Sequence, residues 1–143
     1  MKPQNEMKLM VLSRSVNESF ARVAVAAFIS QLDPTLDELS DIKTAVSEAV
    51  TNCIVHAYRS DIGTIYITVK LFEDNRVRIT IKDKGCGIED VEKAMEPMYT
   101  TSTEGDRAGL GFTVMSTFMD KLRVRSHPGF GTTVTMEKKI SKK

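Results

Sequence analysis

The sequence predicts an α+β fold: one mixed sheet with helices on one face. Three observations carry this. Residues 65–72 and 76–82 alternate apolar and polar, which is strand period. Two segments ahead of them repeat apolar residues at helical spacing. The elements run β-α-α-β-β-α-β-β, so helices and strands are grouped rather than strictly alternating.

Residues 7–13 (MKLMVLS) alternate roughly and open as a strand. Ser15-Val16-Asn17-Glu18 has capping-box spacing, worth ~1 kcal/mol at a helix start. Phe20, Val23, Ala24, Ala27, Phe28 and Leu32 then mark a buried stripe, and Asp33-Pro34 ends the helix. Thr35-Leu36-Asp37-Glu38 is a second capping box, opening a long helix to about Tyr58. Its stripe is Ile42, Val46, Val50, Cys53 and Ala57. Ile65, Ile67, Val69 and Leu71, then Val77, Ile79 and Ile81, face a core from an antiparallel hairpin turned at Asp74-Asn75. A short helix is expected around 89–95. Residues 96–108 (EPMYTTSTEGDRA) are polar, carry Pro97 and Gly105 and have no period, which predicts a loop of lid length. Helix is expected to resume over 110–120. Strands near 122–126 and 132–138 come next, joined at Pro128-Gly129.

No repeat or linker divides the 143 residues, so a single domain over 1–143 is expected, with its core at about 5–138. The 20 basic and 19 acidic residues leave a net charge of +1, which gives no basic footprint for direct nucleic-acid binding. The longest apolar run, 23–29, is far short of the ~20 residues a spanning helix needs. No signal segment opens the chain. Cys53 and Cys86 form neither a C-x-x-C nor a disulfide framework. A cytoplasmic protein with no membrane contact is expected. Lysines 138, 139, 142 and 143 are read as a solvated tail.

Three clusters stand out. In Glu48-Ala-Val-Thr-Asn52, a carboxylate and an amide lie one helical turn apart, with His56 a turn further on. That face is expected to point away from the Val46, Val50, Cys53 and Ala57 stripe. An Asn oxygen can supply the single protein ligand that a Mg²⁺ ion often takes, and a Glu one turn earlier can act as base. Asp83-Lys-Gly85-Cys-Gly87 ends a strand, so Asp83 can accept from the amino group of adenine while the glycines let backbone approach a ligand. Gly109-Leu110-Gly111-Phe112 is expected to open a helix, whose free N–H groups suit phosphate. No P-loop, dinucleotide fingerprint, nucleophile elbow or zinc motif is present.

In this order the clusters resemble the GHKL ATPase and kinase superfamily. E-A-V-T-N resembles its N box, D-K-G-C-G and G-L-G-F its two glycine boxes, and Gly131-Thr132-Thr133 its last-strand G-T-x. Within it, the stretches NESFARV, AAFISQLDPT, SEAVTN, HAY, YTTS and GLGF are similar to the small bacterial anti-sigma-factor serine kinases. The resemblance implies a Bergerat fold, ATP with Mg²⁺, a homodimer and two exchangeable partners. One is a sporulation sigma factor of the sigma-F type; the other is an anti-anti-sigma protein phosphorylated on serine. It implies Glu48 as general base, Asn52 as Mg²⁺ ligand, Asp83 and Thr132 at adenine, and Gly85 and Gly87 shaping the pocket. It also implies Thr100 and Thr101 in a lid, Arg107 at the terminal phosphate, Gly109 to Phe112 around the phosphates, and Arg22 as a partner contact. Ala57 stands where Gly is common and Cys86 where Val is common. The alternatives are a nucleotide-dependent binding module, or a histidine-kinase-like ATPase domain without serine kinase activity. A sensor-kinase fragment would carry an upstream phospho-accepting His, and the only histidines are His56 and His127.

Overall fold

The computed structural model describes residues 1–95 and 103–141, with backbone alone over 103–109. Strands β1 (Asn5–Leu12), β2 (Thr64–Leu71), β3 (Arg76–Asp83), β4 (Lys121–His127) and β5 (Gly131–Lys139) form one sheet in the order β1-β2-β3-β5-β4. Helices α1 (Val16–Ile29), α2 (Leu36–Asn52), α3 (Val91–Met95) and α4 (Thr103–Phe118) complete the described elements, with short 3-10 and π segments. The α+β class stands. The sheet expected to be mixed is antiparallel in all four described pairings. Tight hairpins make the β2–β3 and β4–β5 pairs antiparallel, and the long helical connections ahead of β2 and β5 also return the chain antiparallel to β1 and β3.

Alternation fixes which side of the sheet is covered. Ile65, Ile67, Val69 and Leu71 of β2 are buried, as are Val77, Ile79 and Ile81 of β3 and Val134 and Met136 of β5. They form one core with Ala21, Val25 and Ile29 of α1, with Ile42, Val46 and Val50 of α2, and with Phe112 and Met115 of α4. At ~25 cal/mol per Å² of apolar surface, this layer is the main source of stability. The hairpin from β2 to β3 turns where expected: Asn75 adopts a positive φ of 62° and donates to the Phe72 carbonyl at 3.1 Å.

Three expectations fail here. The stripe expected on α1 is right only in part: Phe28 and Leu32 pack against the core, but Phe20 and Val23 are 54% and 55% exposed while Ala21, Val25 and Ile29 carry the contact. The helix has two apolar stripes, and the smaller residues allow the closer approach to α2. Ser15 does not close a capping box: it sits in the αR region with no side-chain cap bond. Asn17 instead donates to the Leu12 carbonyl. The Thr35 box does form, with Glu38 N–H donating to Thr35 Oγ1 at 3.1 Å and Thr35 N–H to Glu38 Oε1 at 2.9 Å. Nor is Lys138 a solvated tail residue, because its ammonium donates to the Phe118 carbonyl at 2.7 Å and lies 3.6 Å from Asp41.

Candidate functional site

A narrow pocket opens between the end of α2, the end of β3 and the start of β5. Asn52, Cys53, His56, Asp83, Gly87, Ile88, Phe112 and Thr132 are among its walls. The end of α2 makes it possible. After Asn52 the chain runs as a π segment, Cys53–Ala57, closed by Tyr58 N–H donating to the Cys53 carbonyl at 3.0 Å. The extra residue per turn re-phases the chain beyond Cys53. Asn52 and His56 share the pocket with Cys53 and Ala57, rather than pointing away from that stripe as expected.

The same segment anchors the first glycine cluster. Cys86 N–H donates to the Ala57 carbonyl at 3.1 Å, and Tyr58 Oη accepts from Lys84 N–H at 2.7 Å while donating to the Thr64 carbonyl at 2.6 Å. Any β-carbon on Gly85 would run into that Ala57 carbonyl. Gly87 has a φ of 77°, a conformation side chains rarely adopt.

Asp83 is buried at the pocket wall and accepts at Oδ1 from Gly85 N–H at 2.9 Å and Thr132 N–H at 3.2 Å. Burial raises its carboxyl above the usual aspartate value; the N–H of Gly85, the Cys53 thiol and the N–H of Thr132 oppose that by favouring the charged form. Burial, and then the Asp83 charge, push the Cys53 thiol well up, so it stays neutral. Ionised Asp83 offers acceptors only.

Glu48, Asn52 and Gly111 converge. A β-carbon on Gly111 would lie 3.2 Å from Glu48 Oε2 and 3.3 Å from each end of the Asn52 amide. Among the described residues Asn52 Nδ2 is buried without a hydrogen-bond partner, an orphaned polar group beside a carboxylate. Among the described residues no group of three or more acidic, His or Cys side chains could hold a metal ion. A cation here would take few protein ligands and depend on ligand oxygens, which fits Mg²⁺.

The second glycine cluster does not open a helix. α4 begins at Thr103, so Gly109, Leu110 and Gly111 lie inside it and the helix terminus is a turn or more earlier. The sequence 103–106 (TEGD) puts acidic residues in a first turn, a start signal masked by two glycines. Phe112 is buried against the pocket and Leu110 is 54% exposed. Thr100 and Thr101 lie outside the described residues, as does the side chain of Arg107.

Arg22 stands on α1 half-exposed. Its guanidinium lies 3.9 Å from Glu18 and donates to Ser19 Oγ at 3.4 Å, and its Nε is buried with no partner among the described residues. An open groove of about 630 Å³ between α1 and α2 runs from Arg22 and Val23, past Leu39 and Lys43, to Ser47 and Glu48. Sequence reasoning named Cys53 only as a stripe residue and Tyr58 only within the HAY stretch, gave neither a role in the site, and missed Ser126.

Residues 13–138 match the family model of the histidine kinase-like ATPase domain. The chain is 60% identical over 142 residues to the anti-sigma F factor of Caldanaerobacter subterraneus subsp. tengcongensis, covering 99% of each. The chain belongs to the anti-sigma F factors of the histidine kinase-like ATPase domain family. Other anti-sigma F factors agree, at 57% identity over 138 residues for Clostridium novyi and 54% over 140 for Bacillus licheniformis, with 95% of each of those proteins covered. The fold matches the solved RsbU and RsbW domains of a Mycobacterium tuberculosis protein, with a TM-score of 0.72 and 20% identity over 99% of this chain and 34% of that one. It also matches the catalytic domain of the histidine kinase ThkA, with a TM-score of 0.58 and 19% identity over 96% and 97% of the two chains. Among the described residues no helix is long and apolar enough to cross a membrane.

Proposed function

We propose that this anti-sigma F factor is an ATP-dependent protein serine kinase. In this reading it sequesters a sporulation sigma factor of the sigma-F type and phosphorylates a serine of its anti-anti-sigma antagonist, acting in the cytoplasm as a homodimer. The observation that carries the reading is the position of Glu48. It stands beside Asn52 and Gly111 on one side and lines the groove leading to Arg22 on the other. A carboxylate between a nucleotide pocket and a protein-sized groove is where a base for a partner's hydroxyl belongs.

The adenine enters beside Asp83, which accepts from its amino group, with Thr132 at the base and Gly85 and Gly87 shaping the pocket through the close backbone packing that only glycine allows there. Gly109 and Gly111 leave room for the phosphates. Arg107, Thr100 and Thr101 belong to the segment that senses the terminal phosphate. Asn52 would hold a Mg²⁺ ion, which neutralises phosphate charge when bound. Glu48 then takes the proton of the partner's serine as its oxygen bonds to the terminal phosphorus. The bond to the bridging oxygen breaks, and ADP leaves with that electron pair.

The face around Arg22 suits a protein partner. Val16, Phe20 and Val23 expose a continuous apolar stripe beside Glu18 and Arg22. Incubating the protein with labelled ATP and a candidate anti-anti-sigma protein tests the reading. Label stable as phosphoserine supports it. ATP-dependent partner binding without transfer would mean a binding module instead.

A further inference from the structure

Ser126, Thr132 and Asp83 stand side by side on β4, β5 and β3 and form one row across the sheet. Thr132 and Asp83 line the pocket, whereas Ser126 is not among its walls. Each hydrogen bond of Ser126 is accounted for. Its oxygen accepts from Ile88 N–H at 2.7 Å, its proton goes to the Gly131 carbonyl at 3.0 Å, and Thr132 Oγ1 lies 2.8 Å away. A serine hydroxyl has one proton and two lone pairs. All three contacts are hydrogen bonds at once only if the Ser126 proton goes to Gly131 and the Thr132 hydroxyl donates to Ser126; under that assignment Thr132 turns only lone pairs toward the pocket.

We propose that Ser126 is a positioning residue that sets base specificity by fixing the proton of Thr132. Asp83 and Thr132 then present two acceptors side by side. A purine with an amino group at position 6 satisfies them; one with a carbonyl there meets oxygen with oxygen. Ser126 also ties the segment after Gly87 to β4 through Ile88, so the base wall and the glycine turn are held by one hydroxyl. The inference rests on the reading of this pocket as the adenine site.

The test is competition binding of ATP and ITP to the intact protein, since inosine differs from adenosine in carrying a carbonyl at position 6. The unaltered protein should prefer ATP by about 5- to 150-fold, the range expected of one mismatched buried polar contact. Ser126→Ala frees the Thr132 proton to serve a carbonyl and should cut that preference at least about fivefold. Ser126→Thr keeps the hydroxyl and the preference. If the alanine variant melts early, Ser126→Cys gives the same readout, because it keeps the volume while hydrogen-bonding weakly. Equal losses for both nucleotides, or an unchanged preference, would overturn the role and leave only a structural serine. An unaltered protein that binds ATP and ITP alike would overturn the adenine reading itself, and this inference with it.

Discussion

Gly111 of α4 and Glu48 of α2 meet so closely that a β-carbon on the glycine would lie 3.2 Å from the Glu48 carboxylate. The second glycine cluster therefore bears directly on the N-box carboxylate. Inside a helix an alanine is ordinarily favoured over glycine by about 1 kcal/mol. Gly111→Ala should thus melt at or above the temperature of the unaltered protein, yet displace Glu48 and Asn52 and slow phosphoryl transfer. Thermal melting beside a phosphorylation assay reads both. A full rate would mean that the closeness has no functional weight.

Asp83 predicts a pH signature. Its folded value is raised, so folding favours the neutral form relative to the unfolded chain. The stability it contributes is complete below the ordinary aspartate value and is lost as pH rises through the raised one. Asparagine does not titrate. The melting difference, Asp83→Asn minus unaltered protein, should therefore become more positive as pH rises through that window. A flat difference would contradict a buried carboxylate. The same variant should weaken ATP binding while remaining folded.

The two capping boxes separate pattern from geometry. Thr35→Ala removes a bonded cap and should lose about 1 kcal/mol, or about 2–4 °C in melting temperature at this chain length. Ser15→Ala removes a hydroxyl that caps nothing and should leave the melting temperature nearly unchanged. Equal losses would show that the sequence pattern alone decides.

The legible parts of the fold are those where one period admits one answer. Alternation over 65–71 and 77–81 can face only one core, and the register of Val69 with Ile79 agrees with it. Helix α1 is ambiguous in sequence because both Ala21-Val25-Ile29 and Val16-Phe20-Val23 recur at helical spacing, and only packing chooses. The start of α4 is hidden because glycines suggest a terminus, while a helix with tertiary support tolerates them. The π segment at Cys53 and the hydroxyl row at Ser126 are set by contacts between strands and turns distant in sequence. Single motifs do not encode them. Asp83, Asn52 and Thr132 are legible because their residue types and order are a pattern; their supports have no pattern to find.

The groove predicts competition at α1. Reversing the charge at Arg22 places two carboxylates, Glu18 and the new one, beside the apolar stripe of Phe20 and Val23. Arg22→Glu should impair both the sigma-factor and the anti-anti-sigma complexes while leaving ATP affinity unchanged. Pull-down of each partner beside nucleotide titration measures this. Loss of one partner alone would mean separate surfaces.

The kinase reading stands or falls on Glu48. The most direct measurement is the rate of serine phosphorylation by Glu48→Gln, taken alongside its ATP affinity. Removing a general base should slow transfer by about 10²–10⁴-fold while ATP stays bound. Phosphorylation at the full rate would contradict the assignment of Glu48 as the base and return the site to nucleotide binding alone.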